Sequence, residues 1–359
     1  MKLLMPIKGD PVARLLVDSF GLTPFRFALI VAAVGFSGAL LLSLVTGTFL
    51  PHADQLGFLT DWSPWLWSLL FTPVLAGYYL WVSSSMERLL RDLQQSEAVD
   101  ILEGELGAVT LYYQKPWREI LSVAMAVIVG LAVFVLRPQV RGWAGSNDTI
   151  RAATSVVITI STYAVTMLIL TLITNIWALR RILGGKEFRV NPLHPDRCGG
   201  LKALSVYSLR TAYLVAVFGL LIGASEYRFI SQGLLQQFWF VHLGIPLYMA
   251  AAAFCFFAPL TLAHDRMQYA KTNLLTDIAK QFRDEYRVAH KALGEKTETL
   301  KEGVDKIQQL QALYELTDKF PVWPFDVQTL RRFVAALASP FVPIIFGLVA
   351  DLLKGFLKY

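Results

Sequence analysis

The amino-acid sequence predicts an all-α, polytopic helical membrane protein with six or seven transmembrane helices and a cytoplasmic, coiled-coil-like helical extension. Three observations lead to this fold class. Of the 359 residues, 55% are hydrophobic and only 17% are charged, whereas soluble domains carry about 25% charged residues. Apolar stretches of about 20 residues, the length of a membrane-spanning helix, recur along the whole chain. Cys198 and Cys255 are the only cysteines, which excludes a disulfide-framework protein.

The apolar stretches define the expected spans. The fifth stretch is short, so we expect it to extend into neighbouring residues or to pack behind other helices. The seventh contains Pro340 and Pro343, and the sequence leaves open whether it crosses the membrane, re-enters it or lies in the interface. The seven stretches are Phe27–Leu50, Trp62–Val82, Ile120–Leu136, Ala152–Leu179, Thr211–Ser225, Phe238–Leu262 and Phe333–Leu353.

The basic residues predict the orientation of the chain. Most of the 33 Lys and Arg residues lie in segments that fall on one face of the membrane, which the positive-inside rule makes cytoplasmic. The N-terminus is therefore expected inside. The predicted organisation is a cytoplasmic N-terminal arm (1–26), transmembrane helices with cytoplasmic loops 85–118 and 180–210 (27–263), a cytoplasmic helical region (264–319), an amphipathic elbow (320–332) and a final transmembrane or re-entrant segment (333–359).

The cytoplasmic helical region carries a seven-residue repeat of large side chains. A sustained heptad pattern is typical of a coiled coil or a helical hairpin. The repeat therefore has two interpretations: helices that pack on their own chain, or a seam between subunits of a homo-oligomer. A cytoplasmic protein partner is a further candidate for this surface. The repeat consists of Tyr286, Leu293, Leu300, Ile307 and Tyr314.

The cytoplasmic loop between the fourth and fifth spans contains closely spaced polar residues. One Cys, one His and one carboxylate fall short of a closed tetrahedral zinc site, so we expect no metal. A thiol nucleophile paired with histidine is the enzymatic alternative. A structural elbow that holds the two spans is favoured, and a ligand-sensing loop is a further possibility. The residues concerned are His194, Asp196, Arg197, Cys198, Gly199 and Gly200.

A second specified segment, Phe320–Asp326, alternates aromatic residues with prolines just before the last apolar stretch. Trp323 and Phe325 suit the headgroup region of a membrane, where aromatic side chains are enriched. Arg331 and Arg332 follow at positions from which they can meet lipid phosphates. We therefore predict an elbow at the lipid interface, with membrane lipids as its partner.

The two motifs together, HPDRCGGL between two spans and FPVWPFD before the last one, resemble those of a group of uncharacterised bacterial multi-pass inner-membrane proteins. The resemblance covers about 20 residues and carries no assigned activity with it. It implies a bacterial inner (plasma) membrane location.

Hydroxyl side chains line one face of the fourth span. Spacings of four, three and four residues place Ser155, Thr159, Thr162 and Thr166 on a common helical face. Such a stripe can promote close helix packing in lipid. It can also line a water-filled pore with a polar but neutral wall.

The sequence gives no support to an enzyme, a cofactor or a nucleic-acid partner. The centres of the spans lack charged residues, which disfavours a proton-coupled transporter. Motifs for phosphate binding, zinc hydrolysis and serine hydrolysis are missing from the sequence. The net charge of +6 follows from the basic cytoplasmic face.

These observations favour an oligomeric membrane channel or pore that conducts passively. Its conduction would be anion-preferring and gated from the cytoplasmic or the lipid side. A non-conducting membrane sensor or scaffold that acts through its cytoplasmic helices is the alternative. A facilitative carrier of a neutral solute is the third hypothesis, although the internal repeat typical of carriers is not found.

Overall fold

The computed structural model describes residues 10–51, 56–99, 112–136, 140–184, 194–196, 198–234, 236–237, 239–292 and 297–357. Within these ranges the chain forms helices and no strand, which confirms the all-α fold class. A short helix, Pro11–Arg14, lies near the N-terminus. The main helices are α1 (Pro24–Val45), α2 (Trp62–Gln95), α3 (Trp117–Leu136), α4 (Asp148–Gly184), α5 (Lys202–Ser231), α6 (Gly244–Ala292), α7 (Thr297–Asp318), α8 (Val327–Leu337) and α9 (Phe341–Leu357).

Helices α1 to α6 are each long and apolar enough to cross a membrane, and the pair α8–α9 can supply a seventh span. Large apolar side chains stay exposed along these helices, for example Val45 on α1, Val135 on α3 and Phe346 on α9. Apolar surface of this extent is stable only against lipid. The chain is therefore a helical membrane protein. We call the end of the bundle that carries residue 10 the N-side, and the other end the opposite side.

Helix α5 has 30 residues, although only the short stretch Thr211–Ser225 identifies it in the sequence. Polar side chains such as Ser205 and Glu226 are buried against neighbouring helices. The helix therefore crosses the bundle with fewer apolar residues than a lipid-facing span needs. Glu226 and Arg228, which the sequence suggests for a connecting loop, belong to the last turns of α5.

Helix α6 is a single helix of 49 residues that continues from the sixth span into an antiparallel hairpin with α7. A Cβ atom at Gly303 of α7 would lie 3.2 Å from the Cβ of Ala289 on α6. Nearer the bundle, the Nζ of Lys271 lies 3.3 Å from the carboxylate of Asp318. Region 264–319 thus packs within one chain.

Helices α8 and α9 meet at an angle of 55° and follow α5 towards the opposite side. The Ser339 hydroxyl donates a hydrogen bond of 2.9 Å to the carbonyl of Ala216. Further along, the Tyr227 hydroxyl donates a hydrogen bond of 3.0 Å to Asp351. Residue numbers rise together on both partners, so the two segments run parallel. The parallel course of α8 and α9 beside α5 fits a bent span, and by length and composition this pair is the candidate for a seventh span.

A buried ion pair connects three segments at the opposite side. Asp61 is 0% exposed and pairs with Arg228 of α5. Its carboxylate also accepts hydrogen bonds from the backbone amides of Ser63, at 2.9 Å, and Trp143, at 2.8 Å. The first turn of α2, the segment before α4 and the end of α5 are therefore held together. Burial of these charges is tolerated because each is paired and hydrogen-bonded.

The close approach of α5 to Pro340 gives a first prediction. A Cβ atom at Gly223 would lie 1.9 Å from the carbonyl oxygen of Pro340, which belongs to the backbone and cannot rotate away. We expect Gly223→Ala to destabilise the protein by about 1–3 kcal/mol through overpacking. The measurement is the midpoint of thermal unfolding in detergent. Gly38→Ala is the matched control, because a Cβ at Gly38 meets nothing within 4 Å. Equal midpoints for the two variants would contradict the packing of α8–α9 on α5.

Candidate functional site

A small buried pocket lies at the N-side between the N-terminal segment, α2, the start of α3, and α4. Its volume of about 20 Å³ is enough for one water molecule. Its lining is mixed, with Val82, Met86, Met167 and Leu168 beside a set of polar side chains. The polar members are Asp10, Tyr79, Ser83, Tyr113, Arg118, Thr171 and Asn175.

Arg118 is the fully buried cation of this pocket, with 2% of its surface exposed. Its Nη1 donates a hydrogen bond of 3.0 Å to the carbonyl of Tyr113, and its Nη2 donates one of 2.7 Å to the hydroxyl of Thr171. Its Nε is buried and has no hydrogen-bond partner within the described part of the chain. Buried arginines in membrane proteins usually pair with a carboxylate or mark an ion pathway. Arg118 forms no ion pair with any described carboxylate.

Asn175 of α4 is the hub of the polar network next to Arg118. Its Oδ1 accepts a hydrogen bond of 2.5 Å from the hydroxyl of Tyr113. Its Nδ2 donates to the hydroxyl of Tyr207 on α5 at 3.0 Å and to that of Ser85 on α2 at 3.4 Å. One amide therefore connects α2, α4, α5 and the segment before α3.

The N-terminal segment covers this pocket. Asp10 caps the short helix by accepting a hydrogen bond of 2.9 Å from the amide of Val12, and its other oxygen accepts one from the hydroxyl of Tyr79. Ala13 is buried on Tyr79 and Leu80. The sequence does not identify this site, because Arg118 lies in the predicted cytoplasmic loop 85–118 and Asp10 in the predicted N-terminal arm, where charged residues are expected. One feature of the sequence could have indicated a buried cation: Arg118 lies only two positions before the apolar stretch Ile120–Leu136.

The hydroxyl stripe of α4 faces α3 in the half of the helix that is nearer the opposite side. Ser155 is buried, and a Cβ atom at Gly130 of α3 would lie 2.0 Å from the Oγ1 of Thr159. The hydroxyls of Thr159 and Thr166 each donate a hydrogen bond of 2.8 Å to a carbonyl of their own helix. Thr162 lines an apolar cavity of about 280 Å³. Within one chain, this geometry is that of close helix packing.

The loop before α5 is organised by the carboxylate of Asp196. It accepts hydrogen bonds from the amides of Cys198 at 2.8 Å, Gly200 at 3.1 Å and Lys202 at 3.2 Å, and the Nδ1 of His194 lies 2.7 Å away. Gly199 and Gly200 have positive φ angles, which bring these amides towards one point. Arg197 lies outside the described residues. This arrangement fits the structural elbow.

The thiol of Cys198 is buried, and burial raises its pKa to about 11. A thiol in this state is a poor nucleophile and a poor metal ligand at neutral pH. No group of three or more potential metal ligands occurs among the described residues. The raised pKa keeps this thiol protonated at neutral pH, and the geometry of the loop fits the structural elbow better than the enzymatic alternative.

The elbow before α8 packs inward. The ring of Trp323 stacks on His264 of α6 at 4.0 Å between ring centroids, and Phe325 lies 5.8 Å from Phe256. The Nδ1 of His264 is also within 2.9 Å of the carbonyl of Val322. Arg331 and Arg332 are exposed on α8. The elbow thus joins α6 to α8 through aromatic contacts, and its two arginines stay free to meet lipid.

The heptad residues occupy the hairpin with different degrees of exposure. Tyr286 and Tyr314 are 56% and 43% exposed, whereas Leu300 and Ile307 are partly buried. Leu293 lies outside the described residues. The hairpin contact therefore leaves part of the heptad seam uncovered.

Comparisons with protein-family models, curated proteins and solved structures found nothing that matches the chain. The resemblance of the two motifs to uncharacterised bacterial inner-membrane proteins therefore stays a prediction.

The loop at Asp196 gives a pH-dependent prediction. Burial raises the pKa of Asp196, but hydrogen bonds from the amides of Cys198 and Gly200 outweigh it and leave the pKa below 3.8. The carboxylate therefore stabilises the fold above that pH, and this contribution is lost as the pH falls through the folded-state pKa. We expect Asp196→Asn to cost about 1–3 kcal/mol at neutral pH, with the difference from wild type vanishing in acid.

Thermal unfolding over a pH series measures this effect. Asp277→Asn is the control, because Asp277 is exposed and its ion pair is with Lys280 of the same helix. A constant difference between Asp196→Asn and wild type at every pH would contradict a role for the carboxylate charge.

Proposed function

We propose that the chain is a membrane-anchored scaffold or sensor that self-associates through its helical hairpin on the cytoplasmic side. The observation that carries this proposal is the course of α6, which runs as one helix for 49 residues, with Pro259 inside it, from the opposite side through the bundle into the hairpin. A continuous helix transmits a shift or rotation from one end to the other. A protein that only encloses a pore does not require such a connection.

One face of the hairpin is rich in uncovered apolar and aromatic side chains. In an antiparallel helix pair, residues displaced in the same rotational sense from the contact line lie on the same face. When the displacement is measured from the contact of Ala289 with Gly303, residues of α6 and of α7 fall on one common face. Rings of Phe282, Tyr286 and His290 also stack along α6. We define the hairpin face as Phe282, Tyr286, Leu300, Val304, Ile307 and Tyr314.

A second copy of the chain is the occupant that fits this face. Exposed apolar groups in an aqueous region are a liability unless a partner covers them. The heptad spacing of Leu300, Ile307 and Tyr314 is the spacing of helix–helix seams. Copies in one membrane share one orientation, so a two-fold axis along the membrane normal places α6 of each hairpin opposite α7 of the other. The membrane also raises the effective concentration of the copies.

The elbow couples the hairpin to the last span. Trp323 stacks on His264 where α6 leaves the bundle, and the ring of Phe333 on α8 stacks on Phe256 at 4.1 Å. Any displacement of α6 therefore acts directly on α8 and α9. This contact is the proposed route between the membrane bundle and the self-associating hairpin.

Charge placed on the hairpin face tests the proposal. We expect Leu300→Asp with Ile307→Asp to convert the oligomer to a monomer, because an aspartate buried in the seam would lose its hydration. The readout is particle mass in lipid nanodiscs by light scattering. Val288→Asp with Leu316→Asp is the matched control: both residues are more than half exposed and lie on the other face of the same two helices.

Two results would overturn this assignment. The first is a wild-type protein that is monomeric in nanodiscs at high protein concentration. The second is an equal loss of mass in the control variant, which would assign the effect to hairpin stability rather than to the hairpin face. Circular dichroism of both variants separates unfolding from dissociation.

Passive anion conduction is a second candidate function, and the buried Arg118 favours it. A guanidinium group without a paired carboxylate at the N-side attracts small anions, and charged rings or single cations select anions in pores. The proposed path would pass the pocket that Asp10 and Ala13 cover.

Chloride flux into liposomes tests this second function. We expect flux from wild-type protein and a loss of about tenfold or more in Arg118→Gln, because removal of a buried charge changes the interaction free energy by more than about 1.4 kcal/mol. Arg91→Gln, which removes a half-buried cation of α2 that is paired with Glu87 and lies outside the pocket, is the control. Wild-type liposomes that match empty liposomes would exclude conduction and leave the scaffold proposal intact.

A further inference from the structure

Two pockets lie one after the other along the facing sides of α2 and α5, and we call them together the groove; side chains of α3 and α4 also line the larger pocket. Towards the opposite side, its wall on α5 is formed by Leu214, Val217, Phe218 and Leu221, which line the apolar cavity of about 280 Å³. Towards the N-side, the same face of α5 continues through residues at helical spacing and lines a second pocket of about 40 Å³. These residues are Ala203, Val206, Tyr207 and Arg210.

Helix α2 contributes the facing wall of both pockets. Phe71 and Leu75 line the apolar cavity, and Trp81, Ser85 and Arg88 line the pocket at the N-side. Tyr78 lies between the two sets and packs edge-on against Trp81 at 5.6 Å. The groove is therefore apolar over most of its length, aromatic at one level and cationic at its N-side end.

Two arginines mark the N-side end of the groove. Arg88 and Arg210 are both exposed, line the same small pocket, and are close enough for their charges to repel. Asp92 lines this pocket as well. The three groups leave one net positive charge, which matches the single negative charge of a phosphodiester. Guanidinium groups bind phosphate oxygens in a forked geometry that suits such a group.

We infer that this groove binds one anionic phospholipid of the N-side leaflet. The phosphate lies between Arg88 and Arg210, and an acyl chain follows the apolar wall past Leu75 and Phe218. Tyr78 and Trp81 lie between the cationic and the apolar part of the groove, and aromatic side chains are enriched at the boundary between headgroups and acyl chains. A basic pocket between helices that opens onto an apolar groove selects a lipid over a free phosphate ion, because only a lipid fills both parts.

Native mass spectrometry of the full-length protein tests this site, with phosphatidylglycerol and phosphatidylcholine as the added lipids. We expect the wild-type protein to retain phosphatidylglycerol preferentially. In Arg88→Gln with Arg210→Gln, its retention falls by about tenfold or more. The matched control is Arg14→Gln with Arg26→Gln, which removes two exposed arginines at the N-side that do not line the groove. The control keeps wild-type retention if the groove is the site.

A second variant separates the acyl chain from the phosphate. Val217→Trp fills the apolar wall and leaves both arginines in place, so a lipid site loses retention in this variant as well. Unchanged retention in Val217→Trp, or displacement of the lipid by excess inorganic phosphate, would overturn the lipid assignment in favour of a simple phosphate site. Equal losses in both arginine variants would overturn it in favour of unspecific charge attraction. Thermal unfolding of each variant identifies losses that come from misfolding.

Discussion

The amide of Asn175 lies where α2, α4 and α5 meet the segment before α3, and the N-side half of the bundle depends on it. It makes three hydrogen bonds, with Tyr113, Tyr207 and Ser85, in a region where water is scarce. Without the amide, the hydroxyl of Tyr113 would lose the acceptor of its hydrogen bond, at a cost of about 1–3 kcal/mol. The network also holds Tyr113 in place, and the carbonyl of Tyr113 in turn receives the buried Arg118. The position of the buried Arg118 guanidinium therefore follows from a neutral amide.

A second polar cluster, formed by Asp61, Arg228 and Trp143, holds the other end of the bundle. Between these two clusters the helices make apolar contacts, such as those of Leu75, Leu168 and Leu214. Hydrogen bonds and ion pairs fix direction and register, whereas apolar contacts in a membrane tolerate sliding. The bundle is thus specified at its two ends and adaptable in its middle, which suits a helix such as α6 that connects both sides.

Much of the fold could be predicted because hydropathy and helix length are local properties of the sequence. The spans, the helical region 264–319 and the elbow character of the loop at Asp196 follow from composition and from local turn chemistry. The polar sites could not be predicted in the same way. Asp61 and Arg228 are 167 positions apart, and neither is distinguishable in the sequence from a surface charge. Arg118 is likewise indistinguishable from a loop cation. The hydroxyls of Ser155 and Thr159 indicate a packing face, but the sequence does not show that α3 is the helix that packs there.

The paired hydroxyls of Tyr248 and Ser339 have a consequence for biosynthesis. They lie within hydrogen-bonding distance of each other, and the Tyr248 hydroxyl also donates to the carbonyl of Ala336. Because Ala336 and Ser339 follow Tyr248 by 88 and 91 residues, α6 is synthesised before these partners exist. During that interval the Tyr248 hydroxyl and the small-residue surface of α5 at Gly219 and Gly223 are open to lipid or to the insertion machinery. Arrival of α8 and α9 closes this surface. This side of α5 and α6 is therefore covered only after α8 and α9 have been synthesised.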